Sequence, residues 1–168
     1  MQQFNLSRLN IFSPYSVWQN SNDSYKFKTD YGVVFRVVFS KNDNIWQDDV
    51  AYEFGLFNEN ALVSPNDPKV KKTILCIIEE FFLFLCNPDI LLYQCETGDN
   101  RQAIRARLFN RWFNENGIAE HYFIKTSVLR DNDIDNYIAL IVQKSNPKIE
   151  SIVRDFDEFI GFFGTKPE

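Results

Sequence analysis

The feature that most constrains this fold is a change of hydrophobic period along the chain. Residues 25–39 read YKFKTDYGVVFRVVF, with alternation around Tyr25 and Phe27 and a β-rich run after a turn at Asp30–Gly32. A third stretch of this type, VAYEFGLF, covers residues 50–57. Alternation with period two is typical of strands that bury one face. The three stretches therefore predict an antiparallel meander.

Three later segments change to the period of an α-helix. Residues 69–86 carry apolar side chains at helical spacing. Asp67 is suited to cap the start of this helix and Pro68 to its first turn, and Asn87–Pro88 ends it. Residues 99–116 begin with a capping box, and residues 146–164 carry an amphipathic stripe. The apolar arc of the first helix is so wide that we expect neighbours on nearly every side of it.

Three more strands complete the pattern. Ile90–Cys95 is apolar, as in a strand buried on both faces, and residues 122–129 and 137–143 flank the acidic segment RDNDIDN. Residues 1–24 predict an arm packed on the body, with room for one short helix. The order βββ-α-β-α-ββ-α predicts an α+β fold in which a mixed, mostly antiparallel sheet of about six strands carries three helices. We expect residues 25–164 to form a single domain.

Charge and composition limit the classes of partner that we expect this chain to bind. The chain has 18 basic and 23 acidic residues and a net charge of −5, whereas nucleic-acid binding requires a basic face. Its most apolar run, Ile74–Cys86, contains two glutamates and is too short to span a membrane. Without a signal-peptide pattern, the chain is expected in the cytoplasm, with no membrane or nucleic-acid partner. Three cysteines without CxxC spacing and one histidine predict reduced thiols and no metal site.

The segment RDNDIDN is similar to a calcium-binding loop, because Asp131, Asp133 and Asp135 occupy alternate positions. Such loops need glycine at the sixth position and glutamate at the twelfth, where this chain has Asn136 and Val142. The segment therefore predicts an acidic hairpin turn.

The helix at residues 99–116 is unusual for its four arginines, which are Arg101, Arg105, Arg107 and Arg111. Helical spacing puts the first two within the apolar arc and the other two on its flank. Guanidinium groups on an inward face need carboxylates, carbonyls or a bound anion. Two interpretations stay open: ion pairs with acids of the chain such as Glu53, or a site beside Trp112 for a small anion or an acidic protein partner.

Several stretches resemble an uncharacterised family of small bacterial proteins, a domain of unknown function. They are YKFKTDYGVVFRVVF, YEFGLF, KKTILCIIEEFF, CETGDNRQAIRARLFNRWF and NYIALIVQKSNP. The resemblance covers most of residues 25–160 and implies no activity.

The order of elements also resembles the core of the GNAT-type N-acetyltransferases. That family binds the pyrophosphate of acyl-CoA at a glycine-rich turn that opens the first core helix. The matching turn here, SPNDPKVKKT, has no glycine, and Pro68 lacks an N–H group. The resemblance would make Glu53 the catalytic base and acetyl-CoA the cofactor, while Phe109 replaces the tyrosine that often acts as general acid.

No complete catalytic set can be assembled from the sequence. We therefore expect a non-catalytic binding or protein-interaction module with an arginine-lined anion site and no cofactor. The alternative is a divergent acyl-CoA-dependent N-acetyltransferase with Glu53 as base. The stripe of the last helix packs either on its own sheet or on a second subunit, which leaves a homodimer open.

Overall fold

The computed structural model describes residues 4–84, 90–94, 120–131 and 133–164, together with Arg107, Arg111, Asn114 and Glu115. In chain order its elements are α1 (Leu6–Phe12), β1 (Val17–Ser21), β2 (Ser24–Lys28), β3 (Val34–Asn42), β4 (Ala51–Asn58), α2 (Pro68–Phe84), β5 (Ile90–Gln94), β6 (Tyr122–Asp131), β7 (Ile134–Gln143) and α3 (Ile149–Gly164). The sheet is mixed and mostly antiparallel, with the strand order β1-β2-β3-β4-β5-β7-β6. The fold is α+β, as predicted, and its described residues form seven strands rather than six.

The additional strand is β1, in the part of the chain that the sequence predicts as an irregular arm. It reads VWQNS and pairs antiparallel with β2, where Val17 lies opposite Phe27. Only Val17 in this strand is buried, so the hydrophobic pattern is too short to indicate a strand. The one short helix expected in the arm is α1, whose cap Asn5 accepts a hydrogen bond from the Arg8 N–H at 3.0 Å.

The chain divides into two compact units, and the first contains Met1–Ser40 and Phe54–Pro88. Aromatic rings form much of its interior. Phe39 stacks on Phe81 with ring centres 4.9 Å apart, and Phe4 stacks on Tyr25 at 4.4 Å. The helix α2 is buried at Ile74, Leu75, Ile77, Ile78, Phe81 and Phe82, which spread over a wide arc as the sequence predicts.

The second unit contains Lys41–Glu53 and Asp89–Glu168, and its core combines the apolar stripe of α3 with residues of β5 and β7. Ile152 and Phe156 are fully buried there against Leu92 and Leu140, among others. Trp46, which the sequence places in a polar loop, is 2% exposed, and its indole N–H donates to the Ile152 carbonyl at 3.3 Å. The buried part of the stripe is therefore covered within its own unit, and the homodimer stays a prediction.

The hairpin of β6 and β7 continues further than the sequence predicts. Its register runs from Tyr122 opposite Gln143 to Asp131 opposite Ile134, without a shift. The turn includes Asp133, whose φ of 62° lies in the left-handed region that aspartate tolerates better than most residues. The predicted acidic hairpin is confirmed, with longer strands. None of the described helices is long and apolar enough to cross a membrane.

Candidate functional site

The arginine helix predicted at residues 99–116 is described at four positions. Arg107, Arg111, Asn114 and Glu115 have helical backbone and exposed side chains. Arg111 Nε lies 3.8 Å from the Glu115 carboxylate, which is an ordinary pairing four residues apart on a solvated helix face. The other three candidate ligands, Arg101, Arg105 and Trp112, lie outside the described residues. The arginine-lined anion site therefore stays a prediction.

Glu53, the candidate base, lies half-buried on β4. Its Oε1 accepts a hydrogen bond from the Asn42 side-chain amide at 3.0 Å. Asn42 Oδ1 in turn accepts from the Asn44 N–H at 3.0 Å, which fixes the amide. The carboxylate is thus held by a neutral group, and its catalytic role stays a prediction.

The beginning of α2 is the position at which the acetyltransferase resemblance would bind pyrophosphate. Pro68 has no N–H, the Lys69 N–H donates to Asp67 Oδ1 at 3.0 Å, and the Val70 N–H donates to the Asp67 carbonyl at 3.1 Å. The other carboxylate oxygen of Asp67 accepts from the Tyr15 hydroxyl. Burial, and then this hydrogen bond, raise the pKa of Tyr15. The helix start is therefore capped by a carboxylate, which repels an anion.

A groove of about 680 Å³ follows α3 on its β6 side. We call it the β6–α3 groove. It is lined by Phe123 of β6 and by Ile149, Glu150, Val153, Arg154, Asp157 and Glu158 of α3. This volume lies within the range of about 300–1,000 Å³ that is common for binding pockets.

The periods of the two elements explain why these side chains meet. Val142 and Leu140 of β7 face the core under α3, and they lie opposite Phe123 and Lys125 of β6. Directly opposed residues share a sheet face, so Phe123 and Lys125 point to the α3 side. On α3, residues four apart lie on one face, which brings Ile149, Val153 and Asp157 into one row.

One ion pair connects the two sides of the groove. Lys125 Nζ lies 2.6 Å from one carboxylate oxygen of Asp157 and 2.8 Å from the other. Both side chains are partly exposed, so the pair contributes little to stability. The pair connects α3 to β6, and the apolar side chains Phe123, Ile149 and Val153 line the groove beside it.

The charges around α3 are mostly negative. Glu150 and Glu158 are exposed, and neither has an ion-pair partner among the residues that the structure describes. A second concavity of about 550 Å³ lies on the other side of α3, and its acidic lining residues are Asp48, Asp49, Asp155 and Glu158. Two of these have cationic partners, because Lys148 Nζ lies 3.0 Å from Asp49 and Arg154 Nε lies 3.7 Å from Asp155. We call Asp48, Asp49, Asp155 and Glu158 the acidic flank.

Within the described part of the chain, no three acidic, histidine or cysteine side chains are grouped as metal ligands.

Sequence reasoning did not identify the β6–α3 groove. Phe123 belongs to a predicted strand and Val153 to a predicted apolar stripe. Both assignments are correct, but neither indicates that the two side chains line one groove. The stripe of α3 is wider than its contact with the core, so Ile149 and Val153 are only partly buried. The width of the stripe in the sequence indicates that some apolar residues of α3 lie outside the core. It does not indicate a groove, because that depends on which strand lies beside the helix.

The comparisons with known proteins give a family and no activity. A model of DUF6169, described as a family of unknown function, matches residues 66–158. No curated protein matches the chain. The matched segment includes β5, β6, β7 and every residue that lines the β6–α3 groove. Because the match covers more than half of the chain, and in agreement with the resemblance seen in the sequence, the protein belongs to DUF6169, a family of unknown function.

Proposed function

We propose that this protein is a non-catalytic protein-interaction module of the cytoplasm, which binds a segment of a partner protein in the β6–α3 groove. The observation that carries the proposal is the groove itself. Its apolar residues, Phe123, Ile149 and Val153, are open to solvent and bordered by charged side chains. Such a lining accepts one apolar side chain of a partner and orients the partner through the charges at the border.

Charge complementarity favours a basic partner segment. The whole chain carries a net charge of −5. Glu150 and Glu158 border the groove, and the acidic flank continues the negative surface around α3. Lysine or arginine residues next to an apolar anchor would therefore be attracted to both sides of the helix, which raises the association rate and selects against acidic segments.

A second candidate function is a divergent acyl-CoA-dependent N-acetyltransferase with Glu53 as base. The order of described elements agrees with it in part, since β2, β3 and β4 precede α2 and β5, β6 and β7 follow it, although α1 and β1 come before them. The start of α2 argues against it. Its first three positions offer no free N–H group, and the Asp67 carboxylate occupies the place where pyrophosphate would need donors.

We also propose an anion site on the arginine helix, formed by Arg101, Arg105, Arg107, Arg111 and Trp112. Arginine forks bind phosphate and carboxylate groups in bidentate geometry. Inorganic phosphate is the probe. We expect phosphate to raise the melting temperature of the wild type, and Arg105→Ala to remove that shift while the fold is retained. Equal shifts in both proteins would contradict the site.

Selection from a random peptide library displayed on phage tests the protein-interaction proposal. We expect the full chain to enrich peptides with an apolar residue flanked by lysine or arginine. A synthetic peptide of the enriched sequence should bind Val153→Lys at least about tenfold more weakly than wild type, a loss of about 1.4 kcal/mol. The lysine stem keeps contact with the apolar neighbours of Val153, while its charge repels a basic peptide.

The control for this variant is Val63→Lys, the same substitution at a residue that is 91% exposed in the first unit. It should bind like wild type. Glu150→Lys should also weaken binding, whereas Asp23→Lys, an equal charge change in the first unit, should not. Circular dichroism melting verifies that each variant folds. The proposal is wrong if no peptide is enriched, or if the enriched peptides bind Val153→Lys and wild type equally.

A further inference from the structure

We infer that the partner segment binds as an amphipathic α-helix that lies along α3 in the β6–α3 groove, and that a row of alternating charges on α3 selects it. The inference rests on the proposed function. It adds the conformation of the partner and the spacing of the charges that the groove recognises.

The first support is the order of charges along α3. Glu150, Arg154 and Glu158 follow one another at intervals of four residues, so they lie in one row on the exposed side of the helix. All three line the groove. The two glutamates are about 12 Å apart at the rise of an α-helix, with the arginine halfway between them. The row therefore presents negative, positive and negative charge in turn.

The second support is that these three charges do not pair with one another, although residues four apart on a helix often do. The Nε of Arg154 lies instead 3.7 Å from Asp155, and the Arg154 side chain is 67% exposed. A contact of that length between exposed groups is weak. Neither Glu150 nor Glu158 has an ion-pair partner among the residues that the structure describes. The row is thus open to charges of a partner.

The third support is an apolar row beside the charged one. Ile149 and Val153 are four residues apart, partly buried, and each precedes a member of the charged row by one position. Both line the groove, with Phe123 of β6 on its other side. Paired helices use the same arrangement, in which an apolar row gives the contact and the charges beside it select the partner and its register. This side of α3 is therefore suited to a second helix.

A helical partner requires only side chains of the protein. A helix satisfies its own backbone except at its ends, whereas an extended segment gains affinity by pairing with a free strand edge. The groove offers apolar and charged side chains, which are the contacts that a helix bound in a groove uses.

The spacing of charges on the partner distinguishes the two conformations. Basic residues opposite Glu150 and Glu158 would be about eight positions apart in a helix and about four apart in an extended chain. An acidic residue midway between them would lie opposite Arg154. The order of charges on α3 is the same from either end, so the row fixes this pattern without fixing the direction of the partner helix.

Peptide selection with a library of about 15 residues, long enough for four helical turns, tests the inference. We expect the full chain to enrich sequences with two basic residues about eight positions apart. The synthetic peptide should gain helical circular dichroism when it binds. Proline at a central position where alanine leaves binding unchanged should weaken binding about tenfold or more, because proline interrupts a helix.

Exchange of charges tests the row itself. We expect Glu158→Lys to weaken the peptide about threefold or more, and glutamate in place of one basic residue of the peptide to restore binding to this variant. Arg154→Glu should be restored in the same way by lysine in place of the acidic residue of the peptide. The control is Asp23→Lys, an equal charge change in the first unit, which should show no coupling to the peptide. Circular dichroism melting verifies that each variant folds.

Three results would overturn the inference, and they distinguish it from the proposed function. If the peptide depends on Val153 but stays non-helical when bound, the helical partner is wrong and the groove remains the binding site. If a helical peptide binds but no exchange of charge restores it to Glu158→Lys or Arg154→Glu, the charged row does not select the partner. If no Val153-dependent peptide is enriched, both proposals fail together.

Discussion

Glu80 shows how a single residue holds a short element in place. Its side chain is only 3% exposed, and its two oxygens accept from Arg8 at 2.6 and 3.1 Å. Oε1 also accepts from the Asn5 N–H at 3.3 Å. The hydrogen bonds and the charge of Glu80 raise the pKa of the Arg8 guanidinium. This contact attaches the seven residues of α1 to α2.

We expect Arg8→Met and Glu80→Met to differ in cost, because the two partners differ in exposure. The Arg8 side chain is 45% exposed, so loss of Glu80 returns it to water at a small cost. Loss of Arg8 leaves a buried carboxylate without its cation, which costs about 3 kcal/mol. Urea denaturation of both variants measures the difference in the free energy of unfolding. Equal losses, or a larger loss for Glu80→Met, would contradict this account.

The sequence predicts the environment of such residues only in part. It shows that glutamates interrupt the apolar run of α2, and the arc of the helix implies burial. It does not show that Arg8 is the partner, because the two residues are 72 positions apart and no local pattern relates them.

At the scale of elements, the start of α2 separates the two candidate functions. A helix N-terminus binds phosphate through free N–H groups, and here Asp67 and Pro68 remove those of the first turn. We therefore expect acetyl-CoA at millimolar concentration to leave the melting temperature of the full chain unchanged. A ligand present at a hundred times its dissociation constant would stabilise the protein by about 2.7 kcal/mol. A shift of that size would favour the acetyltransferase alternative and contradict a non-catalytic module.

The sequence predicts correctly the elements that have a long periodic hydrophobic pattern. It does not predict those whose limits depend on pairing with another strand. The helices α2 and α3 lie within a few residues of their predicted limits, and β5 is buried along almost its whole length, as its apolar sequence indicates. The strand β1 was missed because it has one buried residue and depends on pairing with β2. In the hairpin of β6 and β7, pairing extends both strands into the segment RDNDIDN, whose acidic composition predicts a turn.

At the scale of the whole molecule, the proposed binding site depends on charge and on topology together. The net charge of −5 favours basic partners. Among the described residues β6 is the last strand in the sheet order, and a groove lies between it and α3. The sequence predicts each of these elements separately. It does not predict the groove, because Phe123 and Val153 become neighbours only when α3 packs beside β6.

The most direct test of the central claim is to locate the bound peptide without assuming its site. The selected peptide is titrated into the ¹⁵N-labelled full chain, and the amide resonances are followed by nuclear magnetic resonance. We expect the largest shift changes at residues of β6 and of the β6–α3 groove, including Phe123, Ile149 and Val153, with little change in α1 and α2. Largest changes in α1 and α2, or no changes at a saturating peptide concentration, would contradict the claim that this groove is the binding site.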